Sequence, residues 1–280
     1  MSGSTYRPLG LAPLSVLGEA PHRIVEAAAS AGFDFVGLRV LPVTRTEPFV
    51  PLAAGSAESR RTRAALADTG LEVKDVECLV LDGSIGREHW LPALEAAAAV
   101  GARTFTVTAS DSDGQRILAA LAEFTADALD HGLTPTFEPM AYRTVSTLAR
   151  AAELAREVGC LVLPDALHWH RRGGTIADVA AVADLTVAIQ LCDATAVEPA
   201  DLAGYVHESR AHRLLPGDGD ADLTGFLQGA PAGVPVSIEV PHPMSKVMGL
   251  TDFARALRAA GHSALASAGF AGTLPLAAMR

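Results

Sequence analysis

TVSTLARAAELAREVGCLVLPD, residues 144–165, holds a complete structural unit. Its first part sets apolar residues at three- and four-residue spacing, which predicts an amphipathic helix. Gly159 then supplies the left-handed cap that lets a helix end and the chain turn. CLVLPD follows as a short apolar strand, and that strand ends in a carboxylate, Asp165. The same signal of helix, glycine and apolar strand recurs with Gly32, Gly70, Gly101 and Gly132. The matching helical stretches are HRIVEAAASAG, SRRTRAALADTG, LPALEAAAAVGA and GQRILAALAEFTADALDHG. Strand candidates fall at 9–16, 33–40, 73–81, 103–109, 133–139, 160–165, 185–191 and 234–240, eight in all. Eight βα units in succession predict an α/β fold, a closed (β/α)8 TIM barrel. A doubly wound open sheet is the alternative, weakened because no G-x-G-x-x-G follows the first strand.

Length agrees with one barrel. At 280 residues with 49% hydrophobic content and 5% aromatic, residues 1–280 read as a single TIM-barrel domain with an alanine-rich core. No linker or low-complexity tract divides the chain. No apolar run reaches the roughly 18 residues of a membrane span, and MSGSTYRPLG lacks the basic and apolar regions of a signal peptide. The expectation is therefore a cytoplasmic protein without a membrane partner. A net charge of −10 argues against a nucleic-acid surface, because phosphate contacts need clustered Lys and Arg. Cys78, Cys160 and Cys192 lie in or beside apolar strands without short pair spacing, and read as reduced core residues.

Four strand candidates end in an oxygen-bearing side chain: Glu138 in TPTFEPM, Asp165 in CLVLPD, Gln190 in TVAIQLCD and Glu239 in PVSIEV. A carboxylate ending an apolar strand is about to be buried, and a buried charge is costly unless paired or bound to metal. In a barrel these residues converge at the C-terminal mouth from strands five to eight. Three carboxylates and one amide carbonyl form an oxygen-only set, which suits Mn2+ or Mg2+ better than zinc. A single acidic strand end is usually a loop start or helix cap; four on consecutive strands favour a metal site.

Together with the D-x-x-H of Asp165 and His168, the QLCD of Gln190–Asp193 and the R-x-x-P-G-x-G of Arg213–Gly219, these residues resemble the xylose-isomerase-like TIM-barrel superfamily. That group includes sugar phosphate isomerase/epimerase proteins, ketose 3-epimerases, inosose dehydratases and 3-dehydroshikimate dehydratases. The resemblance implies that Glu138, Asp165, Gln190 and Glu239 hold one divalent ion, Mn2+ or Mg2+, while His168 and Arg213 bind substrate oxygens. Many members carry His where this chain has Gln190; Gln offers a neutral carbonyl oxygen and keeps a hard cation acceptable.

The implied activity is that of an isomerase or epimerase on a keto-sugar or related polyol. Glu138 and Glu239 would exchange a proton through a metal-stabilised enediolate, with His168 as a further acid–base group. Elimination of water from the same intermediate makes a dehydratase the alternative, and a non-catalytic sugar-binding barrel is the second. His168 reads equally well as a residue that only orients Asp165. Arg39 and Glu77 lie in strands two and three, with strand parity too uncertain to aim them. His170, Arg171 and Arg172 read as a solvated loop, and His242 and Lys246 as a loop placed to cover substrate. The loop PVTRTEPFVPL shows no phosphate-binding cluster, so an unphosphorylated small molecule is the expected partner. A homo-oligomer is compatible with the resemblance.

Overall fold

The five helix-end glycines Gly32, Gly70, Gly101, Gly132 and Gly159 all adopt positive φ, between 72° and 84°. At Gly159 the backbone N–H donates to Ala155 O, closing the helix Leu148–Val158 and releasing the chain into its next strand. Thr147 caps the other end, its side chain accepting from Arg150 N–H at 3.3 Å. Leu148, Ala151, Ala152, Leu154 and Ala155 are the buried stripe of that helix, as the apolar spacing predicts. The computed structural model describes residues 6–270.

All eight expected strands are present. They are β1 (Leu9–Leu11), β2 (Phe35–Arg39), β3 (Glu72–Leu81), β4 (Thr104–Ala109), β5 (Thr134–Phe137), β6 (Leu161–Val162), β7 (Ile189–Leu191) and β8 (Val236–Ile238). Every pairing is parallel, in the order β6-β5-β4-β3-β2-β1-β8-β7. β6 and β7 meet through two isolated parallel bridges, Val162–Thr186 and Asp165–Gln190. These close the ring, so the fold is a TIM barrel.

The first strand is shorter than its apolar run. Residues 9–16 read as strand, yet Pro13–Val16 form a 3-10 turn. Pro13 has no N–H to give to a ladder, so pairing stops before it. Ser15 ties this turn to the last strand: its Oγ donates to Ile238 O at 3.0 Å and accepts from Val240 N–H at 2.7 Å.

Small residues set the packing. The added Cβ of an alanine at Gly10 would lie 2.0 Å from Phe35 Cε2, so the Phe35 ring occupies the space above β1. Outside the sheet, Trp90 and Phe105 both pack edge-on to Phe124. Trp90 Nε1 donates to Asp127 at 2.8 Å, which satisfies a buried carboxylate between two helices. Cys78, Cys160 and Cys192 are buried free thiols. No helix among the described residues is long and apolar enough to cross a membrane.

Candidate metal centre at the barrel mouth

Glu138, Asp165, Gln190 and Glu239 all arrive at the C-terminal ends of their strands. Ladder hydrogen bonds place them there. Glu138 N–H donates to Val107 O, Gln190 N–H to Pro164 O, and Glu239 N–H to Leu191 O. Each of the four side chains is at most 3% exposed. Asp165 also caps the short helix Ala166–Arg171, its Oδ1 accepting from His168 N–H at 3.0 Å.

The carboxylates of Glu138, Asp165 and Glu239 converge, with one oxygen of each within 4.8 Å of the others. Gln190 joins them from β7: its Nε2 donates to Glu239 Oε1 at 2.9 Å. Arg213 lies between two of the acids, with Nη1 2.6 Å from Asp165 Oδ2 and Nη2 2.9 Å from Glu239 Oε2. Its Nε donates to Ser209 O at 2.9 Å, which fixes the plane of the guanidinium. His168 Nε2 is 3.7 Å from Glu138 Oε1, and the ring packs edge-on to Tyr142. All six residues expected at the site therefore stand together.

Three further residues complete the mouth. Glu77 and Arg39, whose directions the sequence leaves open, both point into it. Glu77 Oε1 is 3.4 Å from Gln190 Nε2, and Arg39 Nη1 is 3.6 Å from Glu77 Oε2. Glu47 comes from the loop after β2 and pairs with Arg39 at 3.2 Å and Arg210 at 2.5 Å. A charged residue inside an apolar strand is a usable signal for Glu77 and Arg39; Glu47, in a polar loop, carries none. By contrast, Arg171 is buried, not solvated, and its Nε donates to Glu208 Oε2 at 2.8 Å. His242 stacks on His212, and Lys246 donates to Leu17 O at 3.4 Å.

Burial decides the electrostatics. It raises Glu138 and Glu239 well above the usual carboxylate range, and repulsion from Asp165 adds to the effect in both. Glu77 is pushed up to about 7 by burial, against the opposing pull of Arg39. Asp165 goes the other way: burial pushes it up, but Arg213 and His168 more than offset this and hold it below its ordinary value. Burial lowers His168 to about 4, so its imidazole is neutral near pH 7.

These residues fit a divalent cation. Glu138 Oε1 and Gln190 Oε1 are buried oxygens with no hydrogen-bond partner. Buried acceptors of that kind need a donor or a cation. They stand beside two more carboxylates, in a set made only of oxygen donors, the ligand type of hard cations. A cation there would also offset the repulsion among the three clustered carboxylates.

Known proteins share this architecture. A fusion of a xylose isomerase-like TIM barrel with 4-hydroxyphenylpyruvate dioxygenase is 21% identical, with a TM-score of 0.73. The alignment covers 96% of this chain but 45% of the fusion, so the chain spans less than half of that protein. The IolI protein, solved with a bound zinc atom, is 14% identical with a TM-score of 0.72, over 93% of this chain and 98% of its own. D-allulose 3-epimerase from Methylomonas sp. is 16% identical with a TM-score of 0.67, over 94% and 100%. At these identities the likeness shows the fold. Comparison with curated proteins finds no match. Residues 25–261 match the family model described as Xylose isomerase-like TIM barrel. The chain belongs to the xylose isomerase-like TIM barrel family.

Proposed function

We propose that this barrel is a divalent-metal-dependent isomerase or epimerase acting on a keto-sugar or related polyol. The observation that carries the reading is the buried convergence of Glu138, Asp165 and Glu239, with the orphaned oxygen of Gln190 beside them. Glu138, Asp165, Gln190 and Glu239 would hold the ion, with Mn2+ or Mg2+ favoured by the oxygen-only set. When bound, such an ion acts as a Lewis acid on a carbonyl and orients the neighbouring hydroxyl.

The protein's own residues then manage the proton. Burial gives Glu138 and Glu239 a high proton affinity, as exchange with a weakly acidic C–H requires. They come from β5 and β8, so they approach the mouth from different sides. One takes the proton beside the carbonyl and the other returns it. Neutral His168, with both ring nitrogens unpartnered, offers a donor and an acceptor to a substrate hydroxyl. Arg213 directs three groups at Asp165, Glu239 and Ser209, and holds the two acids in place. Its remaining Nη2 hydrogen is left for a substrate oxygen. Neighbours of the same fold include D-allulose 3-epimerase and L-ribulose 3-epimerase, which agrees with this reaction class.

The test is exchange in heavy water. Protein loaded with Mn2+ is incubated with a panel of ketoses and keto-polyols in D2O, and deuterium next to the carbonyl is followed by NMR. Incorporation that disappears in Glu138→Gln and Glu239→Gln is the expected result. A Glu239→Gln variant that keeps both the ion and full exchange would rule out the two-carboxylate scheme.

A further inference from the structure

Four guanidinium groups line the cavity that opens over Glu77, Glu138 and Glu239: Arg39, Arg143, Arg210 and Arg213. Three of them have carboxylate partners. Arg213 holds Asp165 and Glu239, Arg39 faces Glu77 and Glu47, and Arg210 pairs with Glu47. Arg143 differs. Its Nε is buried without a hydrogen-bond partner, and its charged head lies 5.6 Å from the Tyr142 ring. No carboxylate among the described residues forms an ion pair with it. A half-buried guanidinium with a buried, unused N–H is unfavourable on its own, and the missing partner is an anion.

Position says where that anion comes from. Arg143 lines the cavity over Glu138 and also an adjoining cleft of about 290 Å3. Ser110 and Thr144 border that cleft with it, and no lysine lines either space. A single small molecule can therefore place one end against Glu138 and Glu239 and the other against Arg143. The planar fork of arginine matches a carboxylate or phosphate with two parallel N–H bonds.

We infer that the substrate is an anionic keto-polyol, its oxyanion held by Arg143 in the cleft beside the mouth. This rests on the isomerase reading for the other end of the molecule and adds the class of its tail. The shared chemistry is an oxyanion; carboxylate and phosphate are separated by the test.

The probes are D-fructose, D-fructuronate and D-fructose 6-phosphate, which share a ketose head and differ at the far carbon. Binding is measured by calorimetry, with and without saturating Mn2+, on the wild-type chain and on Arg143→Gln. One anionic probe should bind at least about tenfold tighter than fructose, the size expected of a charge-assisted pair. Arg143→Gln should bring it down to the fructose value while leaving fructose affinity unchanged and without lowering the unfolding midpoint. Preference for fructuronate identifies a carboxylate, and preference for the phosphate ester identifies a phosphate. Equal binding of all three, no binding of any, or a preference that survives Arg143→Gln would overturn the inference. If the protein binds no Mn2+ yet shows the Arg143-dependent preference, the metal reading falls and this one stands.

Discussion

Arg213 is 1% exposed and bridges two carboxylates that burial alone would leave uncompensated. Breaking one partner of a buried ion pair costs about 3–5 kcal/mol, because the remaining charges stay desolvated. Arg213→Met should therefore lower stability by about that amount in urea unfolding of the metal-free protein; a loss under about 1 kcal/mol would mean that Arg213 is not what offsets these charges. Asp75 is not among the four candidate ligands and offers a pH test. It accepts from Thr104 and Thr106 at 3.0 Å each, and burial pushes it up to about 7, with repulsion from Glu239 adding to the shift. Because its folded affinity for the proton exceeds the unfolded one, its contribution is complete below about pH 4 and disappears as pH rises through 7. Asp75→Asn keeps the oxygen that the two threonines use. It should match the wild type near pH 4 and exceed it by on the order of 4 kcal/mol at pH 8. An equal difference at both values would contradict this. The strand-end acids are legible in the sequence because a charge that closes an apolar strand must be buried, and burial demands a partner for it. Asp75 and Glu77 are harder to aim, because the ladders of β3 shift register between Val36 and Gly37 on one side and between Val76 and Leu79 on the other. Such irregularities break the alternation on which facing is read. Glu47 and Arg143 lie in loops, where no periodicity marks them.

At the scale of elements, two glycines separate backbone strain from packing. Gly159 has φ of 81° with open space around it, so Gly159→Ala should cost about 1 kcal/mol from conformation alone. Gly10 has no such backbone demand, but an added methyl there collides with the Phe35 ring. Gly10→Ala should cost about 1–3 kcal/mol or more, the range for overpacking. A second substitution, Phe35→Leu, should restore part of the loss in Gly10→Ala and none in Gly159→Ala; urea midpoints of the double variants decide this. Helix ends are readable because glycine marks the left-handed turn in the sequence itself. Strand ends are not: β6 has only two residues and β1 three, because an apolar run records burial and not where ladder bonds stop. Pro13 and Pro164 set those limits through the N–H they lack.

For the whole molecule, the seam of the barrel and the candidate metal site coincide. β6 and β7 meet at Asp165 and Gln190, and both side chains belong to the four-residue cluster. A cation held there clasps the one join that the regular ladder does not make, so it should raise the unfolding temperature. At 100 times its dissociation constant an ion adds about 2.7 kcal/mol to stability. Binding also has a defined pH dependence. Burial raises the proton affinity of Glu138 and Glu239, so protons compete with the ion for these oxygens and affinity should increase as pH rises. The most direct measurement is titration calorimetry of the metal-free protein with Mn2+ in buffers of different ionisation heat. The expected result is one ion per chain, proton release on binding, and loss of binding in Asp165→Asn and Glu138→Gln. No binding, or binding that those substitutions leave unchanged, would contradict it.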